Sequence, residues 1–174
     1  MELVWLVPVA GIGAIIFAGL LARDVLSRDA GTPQMQDIGD RIFEGAMAFM
    51  RRQYGTIAIL ALVAAVGIGV VLGVVAKPHE GVTSFELGWR TALAFLVGAF
   101  CSALAGFIGM YISVKSNVRT ASAAARGGLR EAITVSIRGG AVSGFLIVAL
   151  SLLGVAVMFY AYGGGGKADI VPFL

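Results

Sequence analysis

Four stretches of this chain contain no Asp, Glu, Lys or Arg: Leu3–Ala22, Gly55–Ala76, Thr91–Val114 and Gly139–Tyr162. A bilayer core is about 30 Å thick and is crossed by about 20 apolar residues in a helix. Each run meets that length. Barrel strands are shorter and alternate in polarity, and these runs do neither. Charged residues make up 13% of the chain, against roughly 25% in a soluble domain. So few charges do not cover a soluble surface, which excludes a soluble enzyme and a disordered tail. Cys101 is the single cysteine, so no intrachain disulfide framework is available. Glycine is abundant, at 25, but follows no every-third period, which excludes collagen. The expected fold is all-α: one multi-pass membrane domain over residues 1–174, a bundle with spans at about 3–22, 55–76, 91–114 and 139–162.

The first run is not a cleavable leader. It is preceded by Glu2 and no basic residue, and it is longer than a leader's apolar core. Orientation follows from the basic residues. Residues 23–54 hold five (Arg23, Arg28, Arg41, Arg51, Arg52), and residues 115–138 hold five (Lys115, Arg119, Arg126, Arg130, Arg138). Residues 77–90 hold Lys77 and Arg90, and the tail holds only Lys167. Positive charge marks the cytoplasmic side. The connections 23–54 and 115–138 are therefore expected in the cytoplasm, with both ends of the chain outside. The same reading removes nucleic acid as a partner: the basic residues orient the chain against membrane lipid.

Small residues recur in the spans at helical spacing. Ala10, Ala14, Ala18 and Ala22 form a ridge in the first; Gly69 and Gly73 lie in the second; Gly98, Ser102, Gly106, Gly109 and Ser113 in the third; Gly140 and Gly144 in the fourth. Such residues let helix backbones approach closely in lipid, so tight packing is expected. No ionisable side chain falls inside a run. Ion and proton paths use ionisable groups at membrane depth, so these helices read as scaffold rather than conduit. A small channel built by oligomerising them would lack a polar lining.

The stretch Asp37–Tyr54 reads as a helix continuing into the second span, with Pro33 ahead of it and Asp37 placed to cap it. Asp37, Asp40 and Glu44 lie early in it and Arg51 and Arg52 late, an order that suits the helix dipole. Ile38, Ile42 and Phe49 give it an apolar stripe. Asp37, Asp40 and Glu44 also share a face, the arrangement of a magnesium or catalytic carboxylate set. The dipole-matched helix is the plainer reading. Arg119, Arg126 and Arg130 fall within about 40° of one helical face. They fit anionic headgroups or a phosphate ligand, and they fit simple inside-positive topology equally. Asn117, among small residues, points to packing against a neighbour. The tail Ala161–Ala168 has Lys167 after a glycine run, but Ala161 and Ala168 stand where a P-loop needs Gly and Ser or Thr. His79 reads as a solvated loop residue, and Cys101 as an inert buried thiol.

Three segments resemble one family. Glu44–Tyr54, EGAMAFMRRQY, is similar to the entry of the second helix of membrane-bound, ion-translocating pyrophosphatases. Leu96–Ala124, LVGAFCSALAGFIGMYISVKSNVRTASAA, resembles their third helix and the loop behind it. Ser136–Val155, SIRGGAVSGFLIVALSLLGV, resembles their fourth. The resemblance runs in order over nearly the whole chain. It implies a homodimeric pump of about sixteen helices per subunit. Such a pump hydrolyses inorganic pyrophosphate with Mg2+, in some cases with K+, and exports H+ or Na+. It also implies an integral protein of the bacterial inner membrane.

The departure is equally plain. The family's substrate site is built from acidic motifs and lysines on later helices, beginning with a D-V-G-A-D-L-V-G-K type segment, and nothing like it occurs here. No catalytic, cofactor-binding or metal residue carries over to this chain. The expectation is the amino-terminal outer wall of such a pump, inactive by itself. The alternative is a stand-alone, enzymatically silent four-helix structural membrane protein.

Overall fold

A computed structural model describes residues 5–76 and 83–162. Among these, all regular structure is helical: α1 (Leu6–Leu26), α2 (Pro33–Val75), α3 (Ser84–Ala125) and α4 (Leu129–Ala161). All four are long and apolar enough to cross a membrane. The four apolar runs therefore appear as four helices, but α2 and α3 continue unbroken through the adjoining connections. At 1.5 Å per residue each is about 63 Å long.

Helix α2 begins earlier than Asp37. Thr32 caps it, its Oγ1 accepting from the Met35 amide at 3.3 Å, and Pro33 takes the first turn. Proline suits that place because its missing N–H would be unpaired there anyway. Asp37 lies inside the helix and pairs with Arg41. Between α3 and α4 the chain reverses through Gly127, whose φ of +79° is a left-handed turn that glycine adopts freely.

The helices form an open layer in the order α2, α3, α4, α1. Helix α3 is shared: α2 packs on one side and α4 on another, while α1 packs on α4 and touches α3 lightly. The core is small: Ala18, Ala105, Ile112, Val142 and Leu146, with Phe17 edge-on to Phe145 at 4.9 Å. In the alanine ridge of α1 only Ala18 is buried; the closest approach is at Gly11, against Leu153.

Glycine and serine set the helix separations. A Cβ on Gly109 would stand 2.7 Å from Ser143 Oγ, and one on Gly139 would stand 2.5 Å from Ser116 Oγ. A Cβ on Gly106 would stand 2.6 Å from Tyr54 Oη, and Tyr54 donates to the Ala103 carbonyl at 3.1 Å. At the other end of the α2–α3 seam Gly88 lies directly on the backbone of Gly69 and Gly73. A Cβ on Gly98, Gly140 or Gly144 would meet nothing within 4 Å, so these members of the small-residue pattern set no close helix approach among the described residues.

The stripe Ile38, Ile42, Phe49 is exposed. Helix α2 meets α3 through the neighbouring face instead. Gly39 touches Val118, Phe43 packs edge-on to Tyr111 at 5.4 Å, Met50 is buried and Tyr54 reaches Gly106. The two faces differ by one residue, about 100° of rotation. Glycine at 39 wins because it lets the backbones close.

Gly88→Ala should therefore destabilise the protein by about 1–3 kcal/mol through overpacking, despite alanine's better helix propensity. Gly144→Ala, in open space, should be neutral or stabilising by up to ~1 kcal/mol. Thermal unfolding of the two variants in the same detergent checks this; equal shifts would contradict the seam.

Candidate functional site

Apart from the Glu86–Arg90 pair at the opposite end and Arg51 and Arg52 further along α2, the described charges gather at one end of the layer, in the residues flanking the α1–α2 and α3–α4 turns. Asp24 is the hub. It lies beyond the apolar run that ends at Ala22. Its carboxylate accepts from Arg138 Nη1 at 2.7 Å and from Arg28 Nη2 at 3.2 Å. Arg28 also donates to Glu131 Oε1 at 3.3 Å. Two neighbouring helices of the layer, α1 and α4, are thereby tied across more than a hundred residues of sequence. The Arg138 hydrogen bond, aided by Arg28, holds the Asp24 carboxyl below its usual value despite an opposing effect of burial. Asp24 in turn holds the Arg28 guanidinium above its usual value.

Arg119, Arg126 and Arg130 do not share one helical face, because the chain turns at Gly127: Arg119 lies in α3, Arg126 caps its end and Arg130 lies in α4. Arg119 donates through Nε and Nη2 to the Leu26 carbonyl, at 3.3 and 3.0 Å, and through Nη1 to the Lys115 carbonyl at 2.7 Å. It thus caps the carboxyl end of α1, where the last carbonyls have no helical partner. Arg126 pairs with Asp29 in the α1–α2 turn. Arg130 is exposed. The three do not converge on a phosphate-sized site. Asn117 is exposed as well, so its neighbour is not among the described residues.

The carboxylates also separate. Asp37 bonds to Arg41 at 3.0 Å, and Asp40 bonds to Lys115 at 3.0 Å, with Lys115 also lying 4.3 Å from the Phe43 ring centre. Glu44 is exposed. Among the described residues no three His, Cys, Asp or Glu side chains stand close enough to hold a metal ion. Cys101 is half-buried on the α3–α4 seam, near Gly154. Lys77, His79 and Lys167 lie outside the described residues.

Reading the sequence alone missed the pairing of Asp24 with Arg138 and the capping role of Arg119. The usable signal was Asp24 and Arg28 one turn apart, directly after an apolar run.

Four membrane-length apolar helices in a packed layer, with most charges collected at one end, define a polytopic integral membrane protein. Residues 12–173 match the family described as inorganic H+ pyrophosphatase, and the chain belongs to that family. It is 48% identical over 172 residues to the "K(+)-insensitive pyrophosphate-energized proton pump 2" of Moorella thermoacetica, covering 99% of this chain. It is 48% identical over 163 residues to a "K(+)-insensitive pyrophosphate-energized proton pump" of Caldanaerobacter subterraneus, covering 92% of this chain. A protein of the same description from Methanosarcina mazei is 40% identical over 170 residues. The chain spans 23%, 22% and 23% of the lengths of these relatives. No solved structure matches it.

Asp24 has a lower pKa folded than unfolded, so its ion pairs add stability above the ordinary carboxylate range. That stability is lost as pH falls through the lowered pKa. Asp24→Asn should lower stability at neutral pH by about 1 kcal/mol and flatten the acid limb of a thermal-stability profile. An unchanged acid limb would contradict the hub.

Proposed function

We propose that this chain is the amino-terminal wall of a pyrophosphate-driven proton pump and that the hydrolytic and transport chemistry resides in helices outside it. The observation that carries the reading is the family match over residues 12–173 of a chain that spans about a quarter of its relatives' length. The distribution of charge supports it. The described carboxylates of the turn region are held by arginine and lysine partners, and the seams between the helices are apolar or small.

In this reading the wall acts by position. The glycine and serine seams fix the helix separations, and the Asp24 network locks the α1 and α4 ends together. The catalytic helices would then have a rigid surface to work against. The charged end faces the cytoplasm, because basic residues concentrate there. Pyrophosphate and Mg2+ would be bound on that side by later helices, in a homodimer embedded in the cell membrane. Protons, rather than sodium ions, are the cargo, and potassium is dispensable; both statements rest on the names of the relatives.

The test uses the 174-residue chain and the complete gene product that contains it, each in liposomes. Phosphate release from pyrophosphate is followed with and without Mg2+ and K+, together with internal acidification. The complete protein should hydrolyse pyrophosphate and move protons only with Mg2+, independently of K+, and the chain alone should do neither. Hydrolysis by the chain alone, or a silent complete protein, would overturn the proposal.

A further inference from the structure

Three of the four apolar runs agree on where the membrane lies. Asp24 pairs with Arg138, just outside the runs of α1 and α4. Gly139 packs on Ser116, so the run of α4 begins level with the end of the α3 run at Val114. Helix α2 does not share that register. Its Asp40 and Phe43 meet Lys115, its Tyr54 meets Ala103 and Gly106, and its Gly69 meets Ala92. Arg51 and Arg52 therefore lie level with about Gly106–Ile108. That is roughly 11 Å below the surface that Lys115 marks, at 1.5 Å per residue.

The opposite end shows the complementary mismatch. Gly73 is level with Ser84 and Phe85, so Val74 and Val75 stand beyond the ion pair of Glu86 and Arg90, and both are strongly exposed. An edge helix facing lipid alone would relieve both mismatches by sliding about two to three turns. The Tyr54 hydrogen bond and the Gly88 contact hold it where it is.

Arg51 and Arg52 are exposed on the open side of α2. The neighbouring exposed residues toward the outer face are Ile57, Ile59 and Leu60. Charged side chains at membrane depth face a protein interior or a water-filled cavity and pair there. Among the described acids, Asp24, Asp29, Asp37, Asp40, Glu86 and Glu131 each hold a basic partner. Glu44 lies two turns from Arg51. More than three quarters of the length of each of these relatives lies outside the share this chain covers.

We propose that a helical segment of the pump outside this chain covers the open side of α2 at this depth and brings a carboxylate to Arg51 and Arg52. This inference rests on reading the chain as part of a longer pump. It identifies the occupant by charge complementarity, by depth, and by a register that suits a protein neighbour better than lipid.

The test uses the complete pump in liposomes containing phosphatidylserine, with Arg51→Lys and Arg52→Lys as separate variants. A carbodiimide joins an amine to a carboxylate in direct contact, and mass spectrometry reads the product. The expected product links position 51 or 52 to an Asp or Glu outside residues 1–174. A phosphatidylserine adduct, or no adduct in either variant, would overturn the proposal. A spin label at Ala48→Cys, with Cys101→Ser, gives an independent readout on the same open side. Low accessibility to both oxygen and a water-soluble nickel relaxant is expected. High oxygen accessibility would mean lipid and high nickel accessibility would mean open water, and either overturns the covered face. Pyrophosphate hydrolysis in the same preparation reports separately on the pump reading. Hydrolysis without the cross-link sinks only the docking inference, and a cross-link without hydrolysis sinks only the pump assignment.

Discussion

Backbone-to-backbone approach along α3 is the constraint on which the layer depends. Lipid tails are as apolar as the helices, so burial of leucine against leucine gives no net drive to associate. Contact must come from close packing and from a few polar bonds. Gly88 against the backbone of Gly69 and Gly73, Gly109 against Ser143, and Ser116 against Gly139 supply the first. The Tyr54 hydroxyl on the Ala103 carbonyl supplies the second. Once these seams are set, the registers of α2 and α4 follow, and so do the depths of every charge on them.

The charged end then does a different task. Arginines that would otherwise project into solvent are used as cross-ties: Arg138 and Arg28 on Asp24, Arg119 on the carbonyl of Leu26, Arg126 on Asp29. Each surface pair contributes little alone. Together they close the turns between helices.

Much of the fold was legible from the sequence, because a charge-free run of twenty residues has few alternatives. The small-residue pattern was legible as a tendency and not as a map. Gly106 and Gly109 lie in seams, while Gly98, Gly140 and Gly144 meet open space and the unremarked Gly88 and Gly139 carry contacts. Spacing along one helix says which residues share a face. It does not say which face a neighbour takes, and the Ile38–Ile42–Phe49 stripe failed for that reason. Arg119, Arg126 and Arg130 were read as one helical face, but the turn at Gly127 ends α3 and puts Arg130 on α4, and the partners of Arg119 and Arg126 sit more than ninety residues away in sequence and had no local signature. The register of α2 was least legible. Apolar runs of similar length suggest alignment, and only the packed seam reveals that α2 is displaced from it.

That displacement is the claim with most riding on it, and a disulfide ruler measures it directly. In a Cys101→Ser background of the membrane-embedded protein, Gly69→Cys is combined with Ala92→Cys or with Ala99→Cys. The packed seam puts a Cβ at 69 about 3.5 Å from that of Ala92, within the usual range for a disulfide. Rapid oxidation of the 69–92 pair and none of the 69–99 pair is the predicted result. The reverse pattern would mean that α2 slides to align its apolar run with that of α3, which would contradict the register and the deep placement of Arg51 and Arg52.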